Sequence, residues 1–194
     1  MKKTILLFLI MTASAFSLLA LSKILGLNIN IFSAQAAAES VSLIRENCTG
    51  YSNCYTSLSA WEAAFGGIDF GACAQGDLVC ADKIAVAQID GSWTNPDATS
   101  FTISGWTTDA TRYIKIHTAS AARHAGKWDD AKYRLAVYSD PSAIRNQVNY
   151  VRIEGLQINN THSNGSAIQA EQVGTSDFQI ANTIIKGGKG VVGY

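Results

Sequence analysis

An internal repeat constrains this chain more than any other feature. Ser142-Ala143-Ile144-Arg145 recurs 24 residues later as Ser166-Ala167-Ile168-Gln169. The same apolar pair returns after another 24 residues in Gly190-Val191-Val192-Gly193. A second element, Val151–Ile158, aligns with Phe178–Ile185 at a spacing of 27. In both copies the apolar alternation slips by one residue, at Gly155 and at Asn182. Gly and Asn best tolerate a positive φ, so one bend is expected between the same two short strands of each repeat. Fixed periods in the twenties mark stacked arrays. With strands in each repeat, the array is all-β, a parallel β-helix, whose turns stack at about 4.8 Å with inward side chains in columns. The expected inward set is Ile144, Val151, Ile153, Leu156, Ile158, Ile168, Phe178, Ile180 and Ile185; the outward set is Arg145, Arg152, Gln157, Gln169 and Gln179.

The region before the repeats reads in the same terms. Lys83–Ile89 is almost wholly apolar, as in a strand covered on both sides. Phe101–Ser104, Tyr113–His117 and Tyr133–Val137 alternate with period two, with loops over 105–109 and 122–130. Upstream, Leu58, Trp61 and Phe65 recur at helical spacing, Ser59 and Glu62 fit a capping box, and Gly66-Gly67 stops the helix. Trp61 is expected in the core. This short helix serves as an N-terminal cap for the β-helix, whose ends would otherwise expose unpaired backbone. Residues 39–55 read as a polar lead-in, and nothing after Phe65 carries a helical period.

The N-terminus has the pattern of a secretory signal peptide over 1–38. Lys2-Lys3 precede an apolar run from Ile5 to Leu21, and Ala34-Gln35-Ala36 and Ala36-Ala37-Ala38 fit the cleavage rule. The alternative is an uncleaved anchor. All four cysteines follow the leader, and an even count in an exported chain reads as disulfides. Of three possible pairings, Cys48–Cys54 and Cys73–Cys80 close the shortest loops. A zinc site fits less well, because C-x5-C and C-x6-C are wider than a zinc ribbon. The expected organisation is a signal peptide over 1–38, a disulfide-bearing cap over 39–82 and β-helix coils over 83–194. The last segment, Gly187–Tyr194, starts a new turn without a cap, so further coils are expected beyond it. Asn47, Asn159 and Asn164 each begin an Asn-x-Ser/Thr sequon.

Charge excludes one class of partner. After residue 38 the chain has 12 basic and 15 acidic residues, whereas a nucleic-acid surface needs clustered positive charge. The densest set of functional side chains is the loop Arg123, His124, Trp128, Asp129 and Asp130. Guanidinium, imidazole, indole and carboxylates together suit sugar binding by stacking and charged hydrogen bonds. The structural alternative is that Trp128 shields one end of the β-helix while Arg123 pairs with Asp129 or Asp130. Outward acids are few (Glu154, Glu171, Asp177), too dispersed for a calcium site, which needs several oxygen ligands. Arg152 is expected on a solvated face, His117 outward on a strand, His162 in a loop and Asp90 in a turn. No Ser, His or Cys sits in a nucleophile pattern.

Several segments carry a family resemblance. They are Tyr55-Thr56-Ser57-Leu58-Ser59-Ala60-Trp61-Glu62-Ala63, Thr102-Ile103-Ser104-Gly105-Trp106-Thr107-Thr108, Tyr113-Ile114-Lys115-Ile116, Ala122-Arg123-His124 and Tyr150-Val151-Arg152-Ile153-Glu154-Gly155-Leu156. Over roughly residues 50–194 the chain resembles exported bacterial proteins of the pectin lyase-like superfamily. The resemblance implies a right-handed, single-stranded parallel β-helix and transfers no catalytic signature. The expected role is carbohydrate binding at the cell surface or envelope, or after secretion, with extracellular or cell-wall polysaccharide as partner. Neither nucleic acid nor a membrane is a partner, apart from the signal segment. Two further expectations are a polysaccharide lyase or glycoside hydrolase whose site lies beyond residue 194, and a stalk or adhesin segment. No cofactor is expected, and calcium only for a lyase.

Overall fold

The computed structural model describes residues 36–171 and 177–193. It is predominantly β, with parallel sheets and two short α-helices. In chain order come β1 (Ala38–Ile44), β2 (Cys54–Tyr55), α1 (Leu58–Ala63), α2 (Leu78–Ala81), β3 (Lys83–Ile89), β4 (Phe101–Ile103), β5 (Ile114–Thr118), β6 (Leu135–Val137) and β7 (Ser142–Asn146). Then follow β8 (Val151–Glu154), β9 (Gln157–Asn160), β10 (Ser166–Ala170), β11 (Phe178–Ala181), β12 (Ile184–Lys186) and β13 (Val191–Gly193). The first sheet runs β11-β8-β5-β3-β1-β2, the second β13-β10-β7-β4 and the third β12-β9-β6. From β5 onward the chain visits the first, third and second sheets in that order, three times over. Every strand pair among the described residues is parallel.

The repeat is written into the strand register. Ser166 lies beside Ser142 and Ile168 beside Ile144, at the 24-residue spacing. Phe178 lies beside Val151, and Ile185 beside Ile158, at the spacing of 27. The third copy corrects the reading by one residue, because Ile168 meets Val191, a spacing of 23. Between register-equivalent residues, Ile185 to Val191 spans four positions fewer than Ile158 to Ile168. Gly187, Gly188 and Gly190 all take positive φ and allow the tighter path.

Both bends fall where the alternation slips: Gly155 has φ 80 and Asn182 has φ 50. A Cβ at Gly155 would also lie 2.9 Å from Arg123 Nε. Gly155→Ala is therefore expected to cost about 1–2 kcal/mol from the left-handed backbone alone. Asn182→Gly relieves that strain while loosening the unfolded chain, and is expected to stay within about 1 kcal/mol of the wild type. Urea unfolding of the two variants checks the contrast.

The expected core columns hold. Ile144, Val151, Ile153, Leu156, Ile158 and Ile168 are fully buried, and Phe178, Ile180 and Ile185 pack partly buried against them. Lys83–Ile89 is covered on both sides. Ala85, Ala87 and Ile89 join the main core, while Ile84 and Val86 cluster with Ala37 and Tyr113. Among the outward residues Gln157 is the exception: it is fully buried beneath the loop that follows β5.

The N-terminal part differs most from expectation. Residues 38–44 are a strand, paired with β3 along its whole length, and not a polar lead-in. Its polarity is inverted: Ser42 points in and gives its Oγ hydrogen to the Gly66 carbonyl at 2.5 Å, while Val41 is exposed. The cap of α1 is Ser57, whose Oγ accepts from Ala60 N at 3.0 Å, and not Ser59. The one-turn helix α2 is additional, capped by Asp77, which accepts from Cys80 N. Trp61 is fully buried as expected. The disulfides are Cys48–Cys54 and Cys73–Cys80. The leader expectation lies outside the described residues except at 36–38, where Ala37 is buried and Ala38 opens β1. No helix of the described residues is long and apolar enough to cross a membrane.

Candidate functional site

The loop between β5 and β6 is held down by its own functional groups. Gln157 reaches into it from β9: its Oε1 accepts from Asp129 N at 2.6 Å, and its Nε2 donates to the Asp129 and Tyr133 carbonyls at 2.9 Å each. Arg123 pairs with Glu154 at 3.1 Å and not with Asp129 or Asp130. His124 Nε2 meets the Asn182 carbonyl at 2.8 Å, so the loop straddles both bends. Trp128 donates from Nε1 to Asp130 at 2.9 Å and takes the Lys186 ammonium over its ring at 5.3 Å. Asp129 accepts from Ala131 N, and Asp130 lies 3.5 Å from Arg134. All five residues singled out from the sequence thus meet in one loop, with partners inside the chain. Their arrangement accounts for how the loop is anchored to the third sheet and the corner beside it.

A cleft lies elsewhere, on the outer face of the second sheet. Its floor includes the outward pair Thr102 and Arg145, set side by side by the register of β4 and β7. Its wall is α1. Leu58 and Trp61 bury one face of that helix, which leaves Ser59, Glu62 and Ala63, spaced i, i+3, i+4, on the other. Ser100 and Asp140 close the far side, and the cavity measures about 410 Å³. Asp140 accepts the Ser100 hydroxyl hydrogen at 2.6 Å, and its carbonyl accepts from buried Asn160 at 3.1 Å.

The charged groups of the cleft have distinct environments. Glu62 Oε1 accepts from Ser104 N at 2.9 Å and from Trp106 Nε1 at 3.0 Å. Burial nevertheless lifts its carboxyl above the ordinary carboxylate value, against the pull of those two bonds. Arg145 Nε lies 3.5 Å from Glu171, which also accepts from Gln147 and Gln169. In the sequence Glu62 is masked as a site residue because Ser59 and Glu62 also fit a capping box. Once Leu58, Trp61 and Phe65 are placed in the core, the same spacing identifies a second helix face.

Arg152 and Asp90 have structural partners. Arg152 lies over the Tyr113 ring at 3.8 Å and 3.7 Å from Asp177. Asp90 pairs with Arg45 at 2.6 Å, beyond its expected turn role. A second concavity, lined by Arg45, Glu46, Asn47, Ser92, Thr94 and Asn95, has its acid committed. Glu46 accepts from Thr94 N and Asn95 N, and these bonds, Thr94 first, hold its carboxyl below the ordinary value. His117, on the outer face of β5, is pushed down by burial and by Lys115. Among the described residues no three His, Cys, Asp or Glu side chains gather as a metal site. Compared with protein-family models, curated proteins and solved structures, the chain matches none.

Proposed function

We propose that this chain is an exported, right-handed parallel β-helix protein akin to the pectin lyase-like superfamily, and that it binds carbohydrate in the cleft between α1 and the second sheet. Three parallel sheets visited in fixed order support the fold, and parallel crossovers are overwhelmingly right-handed. The two disulfides suit an oxidising compartment outside the cell. The observation that carries the functional reading is the lining of the cleft. Carboxylates from Glu62 and Asp140, the Arg145 guanidinium and the hydroxyls of Ser59, Ser100, Thr102 and Ser142 converge in a concave site. Carboxylates accept, guanidinium donates and hydroxyls do both, which matches the vicinal hydroxyls of a sugar ring. Concave sites with convergent polar groups are where ligands bind.

Calorimetry of the full chain against a panel of oligosaccharides tests this. Arg145→Ala is expected to weaken the best ligand about tenfold, the worth of one charged hydrogen bond. Trp128→Ala, in the β5–β6 loop, is expected to leave affinity unchanged. The reverse pattern would return the site to that loop. A second reading, glycoside hydrolysis in the same cleft, is favoured by the raised Glu62 carboxyl facing a cavity that also holds Asp140. A carboxyl raised by burial, with a second acid across the same cavity, is the pairing that glycoside hydrolysis uses. New reducing ends on incubation with the bound polysaccharide would select it.

A further inference from the structure

We infer that the cleft between α1 and the second sheet selects glycans bearing free amino groups over glycans of uronic acids. This rests on the carbohydrate-binding reading above and concerns the charge of the sugar it takes. Two carboxylates, Glu62 and Asp140, face the cavity, and one cation, Arg145. That cation is already opposed by Glu171 at 3.5 Å, so the lining is net acidic.

The acids also have capacity to spare. Both hydrogen bonds to Glu62 end on Oε1, and Ser100 holds Asp140 through Oδ2. Among the described residues, Glu62 Oε2 and Asp140 Oδ1 have no such partner and are left to a ligand. An ammonium offers three donors and no acceptor, and its attraction to a partly desolvated carboxylate exceeds that in bulk water. Burial raises the Glu62 carboxyl against its two hydrogen bonds, and the ammonium of an amino sugar would favour the charged form. A uronate brings a third carboxylate against two others, with Arg145 shared between it and Glu171.

The experiment is titration of the full chain at physiological salt with four probes of matched length. These are an oligomer of glucosamine, its fully N-acetylated counterpart, an oligogalacturonate and a lysine oligomer. The glucosamine oligomer is expected to bind about tenfold tighter than each of the others. Glu62→Gln and Asp140→Asn are each expected to reduce that preference about fivefold or more. Glu62→Gln keeps an acceptor for Ser104 and Trp106, so an unchanged melting temperature separates lost charge from lost fold. Equal or tighter binding of the acetylated or uronate oligomer overturns the inference and leaves the carbohydrate reading standing. So does a preference that survives both substitutions. Equal binding of the lysine oligomer overturns it as well, since charge would then act without the sugar. If none of the three oligosaccharides binds, the carbohydrate reading itself fails, and the inference with it.

Discussion

Replacing Asp97 with Ala is expected to destabilise the fold by about 4 kcal/mol. The residue is 4% exposed and joins three parts of the molecule. Its Oδ2 accepts from Leu58 N, at the start of α1, at 3.0 Å and from the Tyr133 hydroxyl at 3.2 Å. Its Oδ1 accepts from Thr99 N at 3.3 Å. Its own backbone bridges to β6, donating to the Arg134 carbonyl and accepting from Ala136 N. Truncation strands two buried donors, and each stranded group costs about 1–3 kcal/mol. For a chain of this size that is roughly 8–16 °C in Tm. Tyr133→Phe removes one donor together with its need for a partner, so about 1 kcal/mol is expected.

Asp97 also sets a pH signature. Burial raises its carboxyl above 3.8, against hydrogen bonds from Leu58, Thr99 and Tyr133. A raised carboxyl binds its proton more tightly in the folded chain. Its contribution is therefore fully present below the ordinary value and is lost as pH rises through the raised one. Asp97→Asn removes that slope, so the penalty of this substitution should shrink as pH rises above about 4. Asp109 runs the other way. Burial alone would raise it, but hydrogen bonds from Thr111 and Arg112 outweigh burial and hold it at about 2. Its contribution is present above 3.8 and is lost as pH falls towards 2. Urea midpoints of the wild type and Asp97→Asn from pH 3 to 8 check this. A penalty that grows with pH would overturn the account.

Local periodicity carried the parallel sheets, both bends and the fully buried columns, because each depends on residues a few positions apart. It failed where a polar side chain finds a distant partner. Ser42 lies inside because Gly66, 24 positions away, accepts its hydrogen, so β1 shows an inverted pattern. Gln157 is buried because the β5–β6 loop offers it one donor and two carbonyls. Asp97 is buried because Leu58 and Tyr133 reach it from distant parts of the chain. The cleft was hidden for the same reason. Its acids and its guanidinium span Glu62 to Arg145 and meet only when α1 packs beside the second sheet. The loop residues, by contrast, are close in sequence, and their partners lie on the neighbouring strands and bends.

Trp61 tests whether the cleft depends on the packing beneath it. At six residues α1 is too short to be stable alone, so Leu58 and Trp61 must hold it. The Trp61 ring stacks on Trp106 at 5.8 Å, and Phe65 and Phe70 approach Trp106 at 4.9 and 6.4 Å. Trp106 in turn donates to Glu62. Trp61→Ala is expected to cost about 4 kcal/mol, to reduce the near-ultraviolet circular dichroism and to abolish glycan binding, since the wall of the cleft loosens with it. Trp61→Phe should behave differently. The indole Nε1 is buried without a hydrogen-bond partner among the described residues. A Cβ at Gly66 would come within 2.9 Å of it, so the ring lies hard against that backbone. Phe gives up volume but removes the stranded donor, and the two effects offset to about 1 kcal/mol. Glycan binding should survive. Equal losses from Phe and Ala would mean that the indole nitrogen is hydrogen-bonded in solution, with water reaching the core of the cap. A large loss from Ala with full glycan binding would mean that the wall of the cleft stands without α1 being packed, and Glu62 would no longer belong to the site.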